Sequence, residues 1–171
     1  MLYLIDANVL IDANRDYYPI DRVPEFWDWL LHHAAAGNIK MPQENFDECM
    51  EGRKDPLVEW CKQDEVQEVL ILDEPTNIEI LQYVTAAGYG PDLTDDELVE
   101  IGQDPFLLAA AYSNRKNRTV VTTETSKPKR KRQNRKIPDV CNTLGINCCN
   151  TFALVRALNF TTSWKGRLTR R

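Results

Sequence analysis

Apolar and polar positions change period several times along the chain, and each change marks an element. Leu2-Tyr3-Leu4-Ile5 is a continuous apolar run with no turn residue, which suits a strand covered on both faces. The run stops at Asp6, and Val9-Leu10-Ile11 starts a short helix. Two prolines between Asp16 and Pro24 mark a loop. Residues 25–36 place Phe26, Trp27, Leu30, Leu31 and Ala34 at helical spacing, with Gly37 as the stop. Asn38 to Met41 reads as a short strand, after which Pro42 opens a helix over 43–51 that Gly52 ends. A helix over 55–63 and a strand over 66–72 follow. Asp73 and Pro75 introduce a helix through Ala86, with Ile78, Leu81 and Val84 on one face and Gly88 and Gly90-Pro91 beyond its end. Thr94-Asp95-Asp96-Glu97 is a capping box that starts a short helix through Ile101.

Asp104-Pro105 begins an alanine-rich helix to Tyr112, since proline suits a first helical position. Arg118 to Thr123 is a strand rich in β-branched residues. A helix then reaches Leu144, a strand covers 146–149, and Asn150 or Thr151 caps a last helix carrying Phe152, Leu154, Val155 and Leu158. Strands alternating with helices predict an α/β domain around a mostly parallel sheet flanked by helices.

Composition narrows the classes. A chain of 171 residues, 43% apolar, fits one domain over 1–159, followed by a basic tail over 160–171 with Lys165, Arg167, Arg170 and Arg171. The net charge of -5 gives the protein no overall basic field for nucleic acid. Five cysteines without a Cys-x-x-Cys pair read as free thiols of a reducing, cytoplasmic setting. Cys148-Cys149 and His32-His33 match no zinc-ligand spacing, so the thiols are core groups and the histidines solvated. No apolar run approaches 18 residues, so no membrane span is expected.

The charged positions carry the candidate chemistry. Asp6 and Glu124 end strands, Glu48 lies on the helix after the second strand, and Asp104 starts the helix before the strand that leads to Glu124. Three of the four have a plain structural role available: Asp6 and Asp104 suit helix caps, and Glu48 joins Glu44, Asp47 and Glu51 in an acidic surface. Between 127 and 136, seven of ten residues are basic: Lys127, Lys129, Arg130, Lys131, Arg132, Arg135 and Lys136. Such a run reads as a mobile loop, and on an acidic protein it is also the footprint of contact with a phosphate backbone.

Together these residues make the chain resemble the PIN-domain family over about residues 1 to 159. The resemblance rests on Leu4-Ile5-Asp6-Ala7-Asn8-Val9, Glu48 after Pro42, Asp104 with the helix Leu107 to Ala111, and Val120-Val121-Thr122-Thr123-Glu124. Lys136-Ile137-Pro138-Asp139-Val140-Cys141 and the Phe26-Trp27-Asp28-Trp29 helix look like one prokaryotic PIN-like subfamily. The resemblance implies a three-layer fold and a divalent-metal-dependent endoribonuclease. It also implies a toxin of a toxin–antitoxin pair, a homodimer and a small antitoxin protein as partner. It makes Asp6, Glu48, Asp104 and Glu124 the catalytic, metal-binding acids, with Asn8 and Thr122 in support. Glu124 departs from the aspartate common at its position, and Asp139 is an alternative fourth acid.

The chemistry fits those residue types. Carboxylates converging at about 5 Å repel by roughly 3 kcal/mol per pair at an effective dielectric near 20. They must then take up protons or hold cations, and all-oxygen ligands favour Mg²⁺ or Mn²⁺. In this reading RNA is the substrate and the 127–136 run guides it. Two rivals stand beside it. One is a catalytically weak scaffold binding RNA or a protein. The other is a phosphohydrolase with Asp6 as nucleophile, in which Asn8 stands where such enzymes carry a second aspartate.

Overall fold

The computed structural model describes residues 1–51 and 55–168, with backbone only at 167 and 168. Strands β1 (Leu2–Ile5), β2 (Ile39–Lys40), β3 (Arg118–Val121) and β4 (Asn147–Cys149) form one sheet in the order β2-β1-β3-β4. Every pairing is parallel, with Tyr3 opposite Ile39, Leu4 opposite Val120, and Val120 opposite Cys148. Parallel neighbours need crossover connections, and helices supply them. Helices α1 (Ala7–Asp12) and α2 (Pro24–Ala35) lead from β1 to β2. Between β2 and β3 come α3 (Gln43–Glu48), α4 (Pro56–Cys61), α5 (Asp64–Leu70), α6 (Ile78–Gly88), α7 (Asp95–Ile101) and α8 (Asp104–Ser113). Helix α9 (Ile137–Leu144) precedes β4, and α10 (Thr151–Ala157) and α11 (Trp164–Leu168) follow it.

Successive strand side chains point to opposite faces, and here both faces are apolar. Leu4 and Val120 join a core with Val84, Leu107, Leu108, Val140 and Leu144, from α6, α8 and α9. Ile5 and Val121 join a second core with Val9, Phe26, Leu30, Phe46, Leu70 and Leu154. The result is the expected three-layer α/β fold, with the sheet between two helical layers. A β-carbon on Gly88 would lie 2.6 Å from Val140 Cγ1, so the packing of α6 on α9 requires glycine there.

Three elements differ from the sequence reading. The strand expected over 66–72 is helix α5. Its β-branched residues suggest a strand, but Val66 and Leu70, four apart, are buried while Glu65 and Glu68 face solvent. Asp64 and Glu65 also favour its N-terminus, and Ile71 alone makes a bridge, to Met41. The helix expected to reach residue 51 ends at Glu48, and the expected stop Gly52 lies outside the described residues. Residues Ala13–Tyr17 form a π-helical turn that takes in Asp16 and Tyr17, the first two residues of the expected loop.

The segment beyond 159 docks. Phe160 meets Phe26 edge to face with 5.5 Å between ring centroids, and the buried Trp164 indole donates to the Glu25 carbonyl at 3.0 Å. Arg170 and Arg171 lie outside the described residues. Among the described residues no helix is long and apolar enough to cross a membrane.

The topology also locates a crevice. From β1 the sheet extends to β2 on one side and to β3 on the other. The order reverses there, and the carboxyl ends of β1 and β3 border the opening that open α/β sheets use for ligands.

Candidate functional site

Asp6 follows β1 directly and Thr122 follows β3 directly, so the pairing of these strands brings the two together. The Thr122 hydroxyl donates to Asp6 Oδ2 at 2.9 Å, and the Asn8 amide reaches the same oxygen at 3.4 Å. Thr122 Oγ1 also accepts the Glu124 backbone N–H at 3.1 Å. One hydroxyl therefore sets the backbone course toward Glu124 while holding Asp6. Asp6 is buried, and although it stands at the start of α1 it makes no capping bond. Its carboxyl is pushed above the ordinary range by burial first, with the charge of Glu124 adding to it.

Asp104 begins α8 one residue after the N-cap position, which Gln103 holds. Its Oδ2 accepts the Tyr89 hydroxyl at 3.2 Å. Burial, then the charges of Asp6 and Glu124, push its pKa up to about 8, with Glu48 contributing less. Glu48, at the end of α3, is raised by burial and then by Asp6. Four carboxylates from four separate parts of the chain thus share one electrostatic environment. Asp104 stands inside its helix instead of at the cap, and the side-chain bond that holds Asp6 comes from the neighbouring strand end, at Thr122.

Glu124 is the acid with a built-in cation. Lys136 Nζ makes a short ion pair with its Oε1, and the Ile137 N–H at the start of α9 donates to its Oε2 at 2.8 Å. Asp139 is used differently: its carboxylate accepts the Ser126 hydroxyl and the Lys127 N–H, so it braces the 126–127 turn. Of the two candidates for a fourth acid, Glu124 is the one whose charge acts on Asp6 and Asp104. Among the described residues no three His, Cys, Asp or Glu side chains are drawn close enough to hold one ion. All five cysteines are free, with Cys49, Cys61 and Cys141 buried.

The basic run divides in two. Arg132, at φ 52°, grips both oxygens of Glu97 at 2.6 Å and reaches Asp92 Oδ1 at 2.9 Å. The Glu97 carboxylate also closes the capping box of α7 by accepting the Thr94 N–H at 2.9 Å. Arg135 donates to the Gly88 carbonyl and to Thr143 Oγ1. With Lys136 on Glu124, three of the seven basic side chains anchor the segment that reads as a mobile loop. Lys127, Lys129, Arg130 and Lys131 are exposed and enter no ion pair among the described residues.

Sequence reasoning missed Tyr89 and Asn45. Tyr89 lies between two glycines that were informative only as helix stops. Asn45 is buried in α3 among exposed and half-buried acids; its amide donates to the Gln103 carbonyl at 3.3 Å, tying α3 to the residue before Asp104.

The fold and site together define a three-layer α/β domain with an acidic cluster at the reversal of its parallel sheet. A family model matches residues 3–162, and the chain belongs to that family, described as Domain of unknown function (DUF4411). No curated protein and no solved structure matches the chain.

Proposed function

We propose that this chain is a divalent-metal-dependent endoribonuclease of the PIN type. What supports the reading is that Asp6, Glu48, Asp104 and Glu124 act on one another electrostatically beside the switch point, where Thr122 holds Asp6 and Asp104 is raised to about 8. Buried acids that repel one another this way demand protons or cations. The donor set offers oxygen atoms only, which suits Mg²⁺ or Mn²⁺, and the ammonium already resting on Glu124 is a cation in that position. A bound ion would supply an activated water and charge neutralisation at the phosphodiester. Asp6 and Asp104 would hold it, with Glu48 and Glu124 completing the negative field. Thr122 and Asn8 orient Asp6, and Tyr89 orients Asp104. Lys127, Lys129, Arg130 and Lys131 offer exposed positive charge to the RNA backbone. The toxin role, the antitoxin partner, the homodimer and the cytoplasmic setting rest on the family resemblance and composition alone.

The test is RNA cleavage by the purified chain with Mg²⁺ or Mn²⁺, with EDTA, and in the variants Asp6→Asn and Asp104→Asn. Cleavage lost in EDTA and in both variants is the expected result. Cleavage that survives either substitution removes these acids from the chemistry. A second reading, a scaffold that binds RNA without cutting it, is favoured by the Lys136 contact on Glu124. RNA binding without cleavage or Mn²⁺ affinity would select it.

A further inference from the structure

Lys136 is the residue just before α9, and its backbone is extended there, with φ -94° and ψ 145°. Its side chain reaches back to Glu124, three residues beyond the end of β3. Its neighbours in the basic run, Arg132 and Arg135, are spent on α7, α6 and α9. Lys136 is thus the one basic side chain, among the described residues, that pairs with any of the four clustered acids. The contact is sheltered: the Glu124 side chain is 17% exposed and that of Lys136 36%. The second Glu124 oxygen is held by the Ile137 N–H, so the carboxylate is gripped from two adjacent residues of one segment.

We infer that Lys136 is the resident counter-ion of the acidic site: it occupies the Glu124 carboxylate in the metal-free protein, and a divalent cation gains that carboxylate only by displacing it. The inference rests on the metal-dependent reading and assigns that site a limit on its own affinity. Four converging acids without a partner would repel one another and bind ions tightly. One fixed ammonium relieves the repulsion and weakens the pull. A unit positive charge about 6 Å from a divalent ion lowers its affinity by a factor of about ten, even at the dielectric constant of water. Lys136 therefore holds Glu124 in place when no ion is bound and makes occupancy depend on the ambient ion concentration.

The experiment is direct Mn²⁺ binding to the full chain, followed by the electron paramagnetic resonance signal of the free ion. The proteins are the wild type, Lys136→Met, Lys136→Gln, Lys136→Arg, Glu124→Gln and Lys136→Met/Glu124→Gln, each checked for a cooperative thermal transition. Lys136→Met and Lys136→Gln should bind Mn²⁺ about tenfold more tightly than the wild type. Lys136→Arg keeps the charge and should stay near the wild-type value. The gain from Lys136→Met should shrink when Glu124 is already Gln, which a purely structural role for the lysine would not produce. Binding to the folded neutral variants that equals the wild type, or is weaker, overturns the counter-ion role and leaves the metal site standing. No binding to the wild type or to either neutral variant overturns the metal-dependent reading and this inference with it. Binding to the neutral variants alone supports the counter-ion role in its strongest form.

Discussion

Thr122 Oγ1 donates to Asp6 Oδ2 at 2.9 Å, so a single hydroxyl joins the carboxyl ends of two neighbouring parallel strands. The same oxygen accepts the Glu124 N–H at 3.1 Å, which makes Thr122 the hinge between a buried acid and an acid paired with lysine. Thr122→Val keeps the shape and removes both bonds. It should cost about 1–3 kcal/mol, because a buried acceptor loses its best donor. Urea denaturation of Thr122→Val against the wild type checks this; equal stability of the two would show that the hydroxyl contributes nothing.

Asp104 gives the metal-free protein a pH dependence of definite sign. Its folded pKa is raised to about 8, above that of the unfolded chain, so folding favours the protonated acid. The contribution is fully present below the unfolded value and is lost as pH rises through about 8. Asp6 and Glu48 are raised as well and act in the same direction. Melting temperature should therefore fall between pH 5 and pH 8.5, by on the order of a few kcal/mol in stability. Asp104→Asn should flatten the slope. A melting temperature that rises over that interval in EDTA would contradict the burial argument.

A divalent ion should reverse that trend, since it competes with the same protons. Mn²⁺ at saturating concentration should raise the melting temperature more at pH 8.5 than at pH 5.5, and EDTA should abolish the difference. An equal shift at both values would separate ion binding from the acidic cluster.

The basic segment should respond in two distinct ways. Neutralising Lys129, Arg130 and Lys131 together should reduce the dependence of RNA affinity on salt by about three charge equivalents while leaving the melting curve in place. Arg132→Ala should instead release the segment from Glu97 and Asp92, read as faster proteolysis within 127–131. An unchanged salt slope in the triple variant would take the exposed tip out of RNA binding.

Truncation after Asn159 should destabilise the domain, although composition makes this a natural place to cut. It removes Phe160 from its contacts with Tyr18, Phe26 and Trp29, and it removes the docked Trp164. Losing two packed aromatic side chains should cost about 3 kcal/mol or more. A chain of residues 1–159 with the full-length melting temperature would return the segment to the status of a tail.

Much of this protein is written locally. The continuous apolar run at Leu2–Ile5 specifies a strand covered on both faces, because such a run serves no half-exposed sheet, and the β-branched residues Thr119–Val121 mark β3. The capping box at Thr94 and the proline openings of α3 and α8 depend on neighbours within four residues, so the sequence alone determines them. The acids were legible too, as residue types in an order along the chain. Their roles were not. Whether Asp104 caps a helix or meets Tyr89, and whether Lys136 faces RNA or Glu124, depends on side chains brought close by the crossing of separate segments. Helix α5 departs from the strand that its sequence suggests for the same reason: Val66 and Leu70 are helical because the layer beneath them buries that face, an effect stronger than the strand preference of valine. Local propensity acts through neighbours in sequence, and it set most of the elements, α5 excepted. The site is an effect of long-range packing and of charges summed across the sheet, and only the tertiary structure decided it.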